Sequence, residues 1–204
     1  MSKPRLVILH RNMGLLGGAQ RDLIVALPEH AKRWSVTVAT LNAPQLLLDR
    51  CEQLGIDVIA PDVPWQQPSG PMAEITARSG RSALKAWRRL RGKLQPALDA
   101  ADACCIFLGT GGLEVIDMIP DNRPLFVYIC ERDKGIYDDV LQRDMDGNLR
   151  YPRIVKRLAL TYPRRWDQRW HKRLWKRPKT AVSANTPTSS RMLASSYGLS
   201  LIHI

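Results

Sequence analysis

The sequence contains few cysteines, and their spacing is not that of a metal site. Four of the 204 residues are cysteine, no two of them form a Cys-x-x-Cys pair, and Cys104 and Cys105 are adjacent. Adjacent residues of a strand point to opposite faces, so these two thiols are not expected to share a ligand. The pattern argues against a disulfide framework and a zinc site, and it favours reduced, partly buried thiols in a cytosolic protein.

Long apolar runs are also missing. No stretch approaches the ~18 apolar residues of a membrane-spanning helix. The run 6–9 (Leu-Val-Ile-Leu) follows Lys3 and Arg5, but it is much shorter than the ~7–15 residues of a signal-peptide core. Any contact with a membrane is therefore expected to be peripheral.

Two common phosphate-binding glycine motifs are absent. The first glycines stand at Gly14, Gly17 and Gly18 and do not form Gly-x-Gly-x-x-Gly. Gly18 is followed by Ala19 and Gln20, and not by the Lys-Ser/Thr of a P-loop. These absences argue against a standard nicotinamide dehydrogenase and a P-loop nucleotide hydrolase.

Acidic residues are scarce relative to basic ones. Lysine and arginine number 31 against 19 aspartates and glutamates, a net charge of +12. The excess is local: residues 150–179 hold twelve basic residues and a single acid, Asp167, and residues 78–93 hold seven basic residues and no acid. Such segments predict an anionic partner: a membrane surface, a nucleic acid or a phosphorylated small molecule.

Tryptophans lie within the second basic segment. Trp166 and Trp170 are four residues apart and would share one face of a helix. A membrane or anion surface is predicted from these and from the neighbouring cations Arg165, Arg169, Lys172 and Arg173. Two other interpretations stay open: nucleic-acid binding by Trp stacking and Arg–phosphate contacts, or tryptophans packed on a sheet beneath solvated arginines.

The order of apolar runs predicts an α/β fold. Strands are expected at 6–9, 36–40, 56–59, 104–108, 125–129 and 180–184, and helices between them, including one from Ser82 and one interrupted near Pro163. This alternation predicts a Rossmann-like parallel sheet with helices on both faces. We expect one domain over 1–199, while 200–204 resemble a non-native tail.

Two segments are candidates for chemistry. Gly17 and Gly18 follow the first buried strand and open a helix, where backbone N–H groups can approach an anion. Glu131 and Asp133 follow the fifth strand, at the end where open sheets bind ligands, and Lys134 is close to them. The carboxylates are candidate general bases, and the cation is a candidate phosphate clamp. Each segment also has a purely structural explanation: a tight turn for Gly17 and Gly18, and a solvated charged turn for the segment with Glu131 and Asp133.

Four stretches, in order along the chain, resemble the N-terminal domain of family-4 glycosyltransferases of the GT-B fold. Residues 17–21 (Gly-Gly-Ala-Gln-Arg) are similar to the family's Gly-Gly-Ala-Glu/Gln-Arg, and 128–137 to a Tyr-Cys-His-Glu-Pro-Pro-Arg-x-Leu-Tyr stretch of one branch. Residues 183–186 resemble an Ala-Asn-Ser motif, and 192–198 the last helix with its Tyr-Gly ending. In this chain Cys130 stands where that branch has histidine, and Arg132 and Asp133 replace its two prolines.

The resemblance implies transfer of a sugar from a nucleotide-sugar to an acceptor such as a lipid-linked or cell-envelope glycan. It implies catalytic roles for Glu131 and Asp133, because the branch's histidine is missing. Contacts to the donor phosphates or the acceptor are implied for Gly17, Gly18, Ala19, Arg21, Lys134, Tyr137 and Asn185.

The family binds its nucleotide-sugar mainly through a second domain carrying a Glu-x7-Glu pair. The sequence ends before such a domain, so we expect a truncated enzyme that is inactive by itself. It is expected to need neither a metal nor a cofactor besides the nucleotide-sugar substrate, and to work in the cytoplasm at the inner face of the membrane. The alternative is a basic α/β module that binds nucleic acid or another anionic partner without catalysis.

Overall fold

Six strands alternate with helices in the part of the chain that the computed structural model describes, residues 2–14, 17–108, 111–130, 134–137, 146, 148 and 152–197. The strands are β1 (Arg5–His10), β2 (Ser35–Thr40), β3 (Asp57–Ile59), β4 (Ala103–Leu108), β5 (Leu125–Ile129) and β6 (Thr180–Ala184). The α-helices are α1 (Gly18–Arg33), α2 (Gln45–Gln53), α3 (Pro71–Ile75), α4 (Arg78–Ala100), α5 (Lys134–Tyr137), α6 (Arg153–Ala159), α7 (Thr161–Lys176) and α8 (Pro187–Tyr197). A 3₁₀ helix covers Leu113–Met118.

The strands form one parallel sheet in the order β3-β2-β1-β4-β5-β6. Every pairing is parallel, and the six predicted strands are confirmed. From β1 the chain winds outward to β3, then returns to β4 on the other side of β1 and winds outward again to β6. The strand order therefore reverses between β1 and β4, which is the topological switch point of a Rossmann-like sheet.

Both faces of the sheet are covered, as the unbroken apolar run of β1 predicts. Leu6 and Ile8 point to the side of α1 and pack in a cluster with Leu23. Val7 and Leu9 point to the opposite side and pack in a cluster with Trp87 of α4. The second cluster is the larger one and also holds buried residues of α7 and α8.

The helix predicted to begin at Ser82 begins earlier, at Arg78. Ser82 is not its cap: the hydroxyl donates to the Ser79 carbonyl at 2.9 Å and accepts from Trp65 Nε1 at 3.2 Å. The buried residues of α4 recur every three or four positions and extend its apolar stripe back to Gly80: Gly80, Ala83, Trp87, Leu90, Leu94 and Leu98. A further short helix, α3, lies in a stretch whose Pro, Gly and Ser content predicts a loop.

The predicted interruption of the long basic helix is confirmed, but it falls before Pro163. The break is at Leu160, which ends α6 and begins α7. Pro163 lies in the first turn of α7, where a missing backbone N–H removes no intrahelical hydrogen bond.

No helix in the described ranges has both the length and the apolar composition that crossing a membrane requires.

Candidate functional site

The candidate site lies outside the carboxyl ends of β1 and β4. Open parallel sheets bind ligands in the crevice at this switch point, because loops leaving it in opposite directions make room between them. Arg11 follows β1 directly, and Gly111 and Glu114 follow β4. The topology thus brings side chains from distant parts of the sequence to one place.

Arg11 and Glu114 form an ion pair inside this crevice. Arg11 Nη1 lies 3.3 Å from Glu114 Oε1, and their side chains are 7% and 4% exposed. The guanidinium also lies over the ring of Trp65, with Cζ 5.7 Å from the centroid. Burial raises the pKa of Glu114, and the nearby Asp167 acts in the same direction, while Arg11 opposes the shift.

Two glycines allow the ion pair to pack this closely. A Cβ on Gly80 would lie 2.9 Å from Glu114 Oε1 and against the indole nitrogen of Trp166. A Cβ on Gly111, whose φ is +73°, would overlap the Arg11 guanidinium. Larger residues at these positions would therefore displace the pair.

A cavity of about 190 Å³ opens beside the pair and is called the switch-point cavity below. It is bounded by the β1 and β4 ends, the α3–α4 region and α7. Its polar lining includes Arg11, Gln67, Ser79, Glu114, Trp166 and Asp167.

Three buried polar atoms around this cavity have no hydrogen-bond partner within the described part of the chain. They are Glu114 Oε2, Trp166 Nε1 and Ser79 Oγ. A carboxylate oxygen accepts, an indole N–H donates, and a serine hydroxyl does both. Unpaired buried polar groups cost about 1–3 kcal/mol each, so a ligand that pairs them is favoured. Hydroxyl groups, which donate and accept, match this set.

Asp167 is the centre of a hydrogen-bond network at the cavity wall. Its Oδ2 accepts from Tyr137 Oη at 2.9 Å and from Tyr197 Oη at 2.7 Å. His171 Nδ1 lies 3.1 Å from the Asp167 backbone oxygen and 3.5 Å from Oδ1. The imidazole stacks on Tyr197 with ring centroids 3.6 Å apart. The network fixes the Asp167 carboxylate in one orientation.

The network also holds its titratable neighbours in their neutral forms. Burial is the main cause of the raised pKa of Tyr197 and of Tyr137, and the Asp167 charge adds to it. Burial lowers the pKa of His171, although Asp167 opposes that shift. No group of three or more His, Cys, Asp and Glu residues that could hold a metal ion occurs in the described ranges.

The loop after β1 is held by Gln20. Its Oε1 accepts from the Gly17 backbone N–H at 3.2 Å, and its Nε2 donates to the Asn12 carbonyl at 2.9 Å. Gly18 has open space around its Cα, since a Cβ there would meet nothing within 4 Å. Because α1 follows β1, its amino end lies at the same end of the sheet as the switch-point cavity.

The other residues predicted to contact a ligand differ in their position relative to the cavity. Tyr137 contacts a cavity residue, Asp167. Arg21 and Asn185 are exposed and do not line the cavity, and Ala19 is buried, with 5% of its surface accessible. Glu131 and Asp133 lie outside the described residues, as does the side chain of Lys134.

The prediction of an exposed tryptophan surface is wrong for Trp170. This residue is 3% exposed and packs in the core cluster on the α4 face of the sheet, and Trp166 is partly buried against the same cluster. Arg165, Arg169 and Lys172 stay exposed. The half-buried Arg173 lies 4.9 Å from the Trp170 ring centroid and pairs with Asp117. The apolar indoles stabilise the sheet contact, and the cations cover them.

Sequence reasoning missed the residues that form the cavity. Arg11 lies in the segment that follows β1 and Glu114 in the 3₁₀ helix after β4, and no local sequence pattern distinguishes either residue. Asp167 carried a usable signal, since it is the one acid among the twelve basic residues of 150–179. In the structure this acid faces the interior and accepts hydrogen bonds from Tyr137 and Tyr197.

Comparisons with known proteins are limited in extent. No protein-family model matches the sequence, and no curated protein matches it. Among solved structures, a UDP-glucosyltransferase from Polygonum tinctorium capable of glucosylating indoxyl, in complex with 3,4-dichloroaniline, is similar with 17% identity and a TM-score of 0.42. The alignment covers 67% of this chain and 32% of that enzyme, so the chain spans about a third of the enzyme's length. A likeness of this size does not identify an activity, and the family-4 resemblance and the truncation remain predictions.

Proposed function

We propose that this chain is the acceptor-side domain of a GT-B glycosyltransferase, which transfers a sugar from a nucleotide-sugar to an acceptor hydroxyl. The observation that carries the proposal is the switch-point cavity, where three buried polar atoms have no partner among the described residues and match hydroxyl groups. The four motifs that resemble family 4 support the same assignment from the sequence.

The acceptor binds in the switch-point cavity in this proposal. Glu114 Oε2 accepts a hydrogen bond from one hydroxyl, and Trp166 Nε1 donates to another oxygen. Asp167 has a fixed orientation, held by Tyr137 and Tyr197, and adds a second acceptor at the wall. A glycan, or the sugar end of a lipid-linked acceptor, has hydroxyls on adjacent ring carbons that can pair with several of these atoms at once.

The donor binds across the cleft from the same edge. Glycosyl transfer passes through an oxocarbenium-like state, and the leaving diphosphate is stabilised by cations and by helix amino ends. Gly17 and Gly18 at the start of α1 are proposed to face this diphosphate, with Lys134 nearby. Glu131 or Asp133 is proposed to receive the acceptor's proton, since Cys130 cannot act as the histidine would.

Enzymes of this kind bind the nucleotide-sugar mainly through a second domain, so acceptor binding is the role proposed for these 204 residues. The enzyme is proposed to work in the cytoplasm at the inner membrane face. Transfer itself is tested on the complete reading frame, by measuring nucleoside diphosphate release from a panel of nucleotide-sugars.

The acceptor site can be tested on the 204-residue chain. Saturation-transfer NMR with methyl glycosides of glucose, galactose and mannose should give signals for at least one of them. Ser79→Ala and Trp166→Phe each remove one polar atom from the cavity and keep most of the packing. Each should weaken that signal about fivefold or more, because the ligand then loses a hydrogen-bond partner.

The matched controls are Ser35→Ala and Trp34→Phe at the opposite edge of the sheet, which should leave glycoside binding unchanged. Absence of binding to every glycoside, or equal binding by the cavity variants and the controls, would contradict the acceptor site. Salt-sensitive binding to oligonucleotides with no glycoside binding would favour the nucleic-acid alternative.

A further inference from the structure

Exposed apolar side chains cluster on α6 and the first turn of α7. Ile154 is 69% exposed, Leu158 71%, Val155 50% and Tyr162 46%. Eleven large apolar side chains of the described residues are exposed, and these four fall within nine positions. The other seven are spread over the rest of the chain, as on an ordinary surface. This group is called the α6 apolar face below.

Helix geometry explains why these residues form one face. Ile154 and Leu158 are four positions apart, so they are neighbours on the helix surface, and Val155 lies beside them. Leu160 at the junction with α7 is 5% exposed and points to the interior. The Thr161 hydroxyl donates to the Arg157 carbonyl at 2.7 Å and links α6 to α7. One side of this segment is therefore anchored, and the other is left in solvent.

The charges around the α6 apolar face are positive. Arg157 and Arg165 are exposed beside it, and Arg169 and Lys172 continue the same surface along α7. The acid of this segment, Asp167, does not offset them. Its side chain is 15% exposed and accepts hydrogen bonds from Tyr137 and Tyr197 inside the protein.

Exposed apolar side chains beside cations allow two anionic partners, a nucleic acid and a lipid surface, to be distinguished. A nucleic acid would engage the cations and stack on exposed aromatic rings, but Trp170 is buried, Trp166 is partly buried, and Tyr162 is the single aromatic residue among the four of the α6 apolar face. The exposed apolar side chains on α6 are aliphatic, and their transfer from water to an apolar phase lowers the free energy. Aliphatic side chains bordered by arginines match the boundary between lipid headgroups and acyl chains, where anionic headgroups pair with the cations.

We propose that the α6 apolar face docks on an anionic lipid bilayer, with Ile154 and Leu158 entering the headgroup–acyl boundary and Arg157 and Arg165 contacting lipid phosphates. The helix lies in the plane of the surface and does not cross the bilayer. The tryptophans, which the sequence points to as the docking residues, instead pack with the core cluster on the α4 face of the sheet. This inference does not depend on the proposed glycosyl transfer.

A fluorescent probe at position 158 tests the insertion directly. The four native cysteines are all buried, so a Leu158→Cys variant can be labelled selectively with an environment-sensitive nitrobenzoxadiazole dye. Vesicles of phosphatidylcholine and phosphatidylglycerol in equal parts should shift its emission to the blue, and vesicles of phosphatidylcholine alone should not. The matched label at Val63→Cys, a position 81% exposed on a loop, should not shift with either.

Flotation of the unlabelled protein with the same vesicles separates the apolar and ionic contributions. Ile154→Ser with Leu158→Ser should reduce partitioning about tenfold, because two inserted side chains are lost. Arg157→Gln with Arg165→Gln should reduce it by about tenfold as well, and added salt should weaken the wild type. The control, Val25→Ser with Val63→Ser, removes two equally exposed side chains elsewhere and should partition as the wild type does.

Three results would overturn the proposal. One is wild-type protein that does not float with anionic vesicles. Another is full partitioning by the Ile154→Ser, Leu158→Ser variant, which would assign vesicle binding to the basic surface alone. The third is binding of a labelled RNA oligonucleotide that is lost in this variant, which would assign the α6 apolar face to nucleic acid.

Discussion

Arg11 and Glu114 are 103 positions apart in the sequence, yet their charged atoms meet at 3.3 Å in the interior of the protein. The contact exists because the chain leaves β1 and β4 in opposite directions and both ends face one crevice. Desolvation makes a buried ion pair a weak source of net stability. Its position beside a cavity, with Glu114 Oε2 lacking a partner in the described ranges, points to a binding role.

Replacing Glu114 should change how stability depends on pH. Burial raises the pKa of this residue above its ordinary 4.5, so the folded protein retains a proton that the unfolded chain loses. The stabilisation is complete below about pH 4.5 and is lost as the pH rises through the folded pKa. The free energy of unfolding of Glu114→Gln relative to wild type should therefore rise as the pH is increased above about 4.5.

Urea denaturation at several pH values measures this difference. Glu52→Gln, a change at an exposed position on α2, serves as the control and should follow the wild-type profile. Parallel profiles for Glu114→Gln and the wild type would mean that Glu114 is not desolvated as the structure has it.

Two glycines of α4 should respond to alanine in opposite directions. Gly80→Ala places a methyl group 2.9 Å from Glu114 Oε1 and against Trp166, and should destabilise the protein by about 1–3 kcal/mol. Gly92→Ala meets nothing within 4 Å and should stabilise the helix by about 0.5–1 kcal/mol. Thermal unfolding compares them, and a Gly80→Ala variant as stable as Gly92→Ala would contradict the close packing.

Truncating Trp170 should cost stability as a core residue does. The side chain is 3% exposed in the α4-side cluster, so Trp170→Ala should reduce the free energy of unfolding by about 3–5 kcal/mol. Met72→Ala, at a position 69% exposed, should change it by less than about 0.5 kcal/mol. Equal stability of the two variants in urea denaturation would contradict the burial of Trp170 in the core.

His10 should contribute to acid sensitivity. Burial, with a smaller effect of Arg11, lowers its pKa from 6.5 to about 3. The folded state then binds fewer protons than the unfolded chain, so stability is present above about pH 6.5 and falls as the pH drops towards 3. In the wild type, His10 Nδ1 accepts a hydrogen bond from the Asn12 backbone N–H at 3.1 Å. The His10→Asn variant keeps an acceptor for this N–H and removes the titrating imidazole.

The expected result is a smaller loss of stability on acidification for His10→Asn, by about 3 kcal/mol between about pH 6.5 and pH 4. Urea denaturation across this range measures it. His30→Asn, at the half-buried histidine of α1, should have a smaller effect. An unchanged acid profile for His10→Asn would show that His10 titrates near its ordinary value.

Much of the fold follows from local pattern. The apolar run of β1 predicts a strand covered on both sides, and the structure places Val7 and Leu9 against α4 and Leu6 and Ile8 against α1. The boundaries were less predictable. Ser82 has the chemistry of a cap but lies inside α4, whose buried face continues back to Gly80.

The candidate site was predictable only in its location. The carboxyl edge of a parallel sheet follows from strand–helix alternation, and Gly17 and Tyr137 do lie at that edge. Pairing of Arg11 with Glu114, and of Asp167 with two tyrosines, needs distances that local sequence does not contain.

The sequence alone determined the class of fold, the number of strands and the concentration of positive charge, because these depend on the order and spacing of residue types. The tertiary structure decided which side of a helix is covered. Trp166 and Trp170 lie on one face of α7 by spacing, but packing against the sheet turned that face inward, while Ile154 and Leu158 of the neighbouring α6 stay exposed. Period and composition describe a helix by itself, whereas exposure depends on the neighbours that the whole chain brings to it.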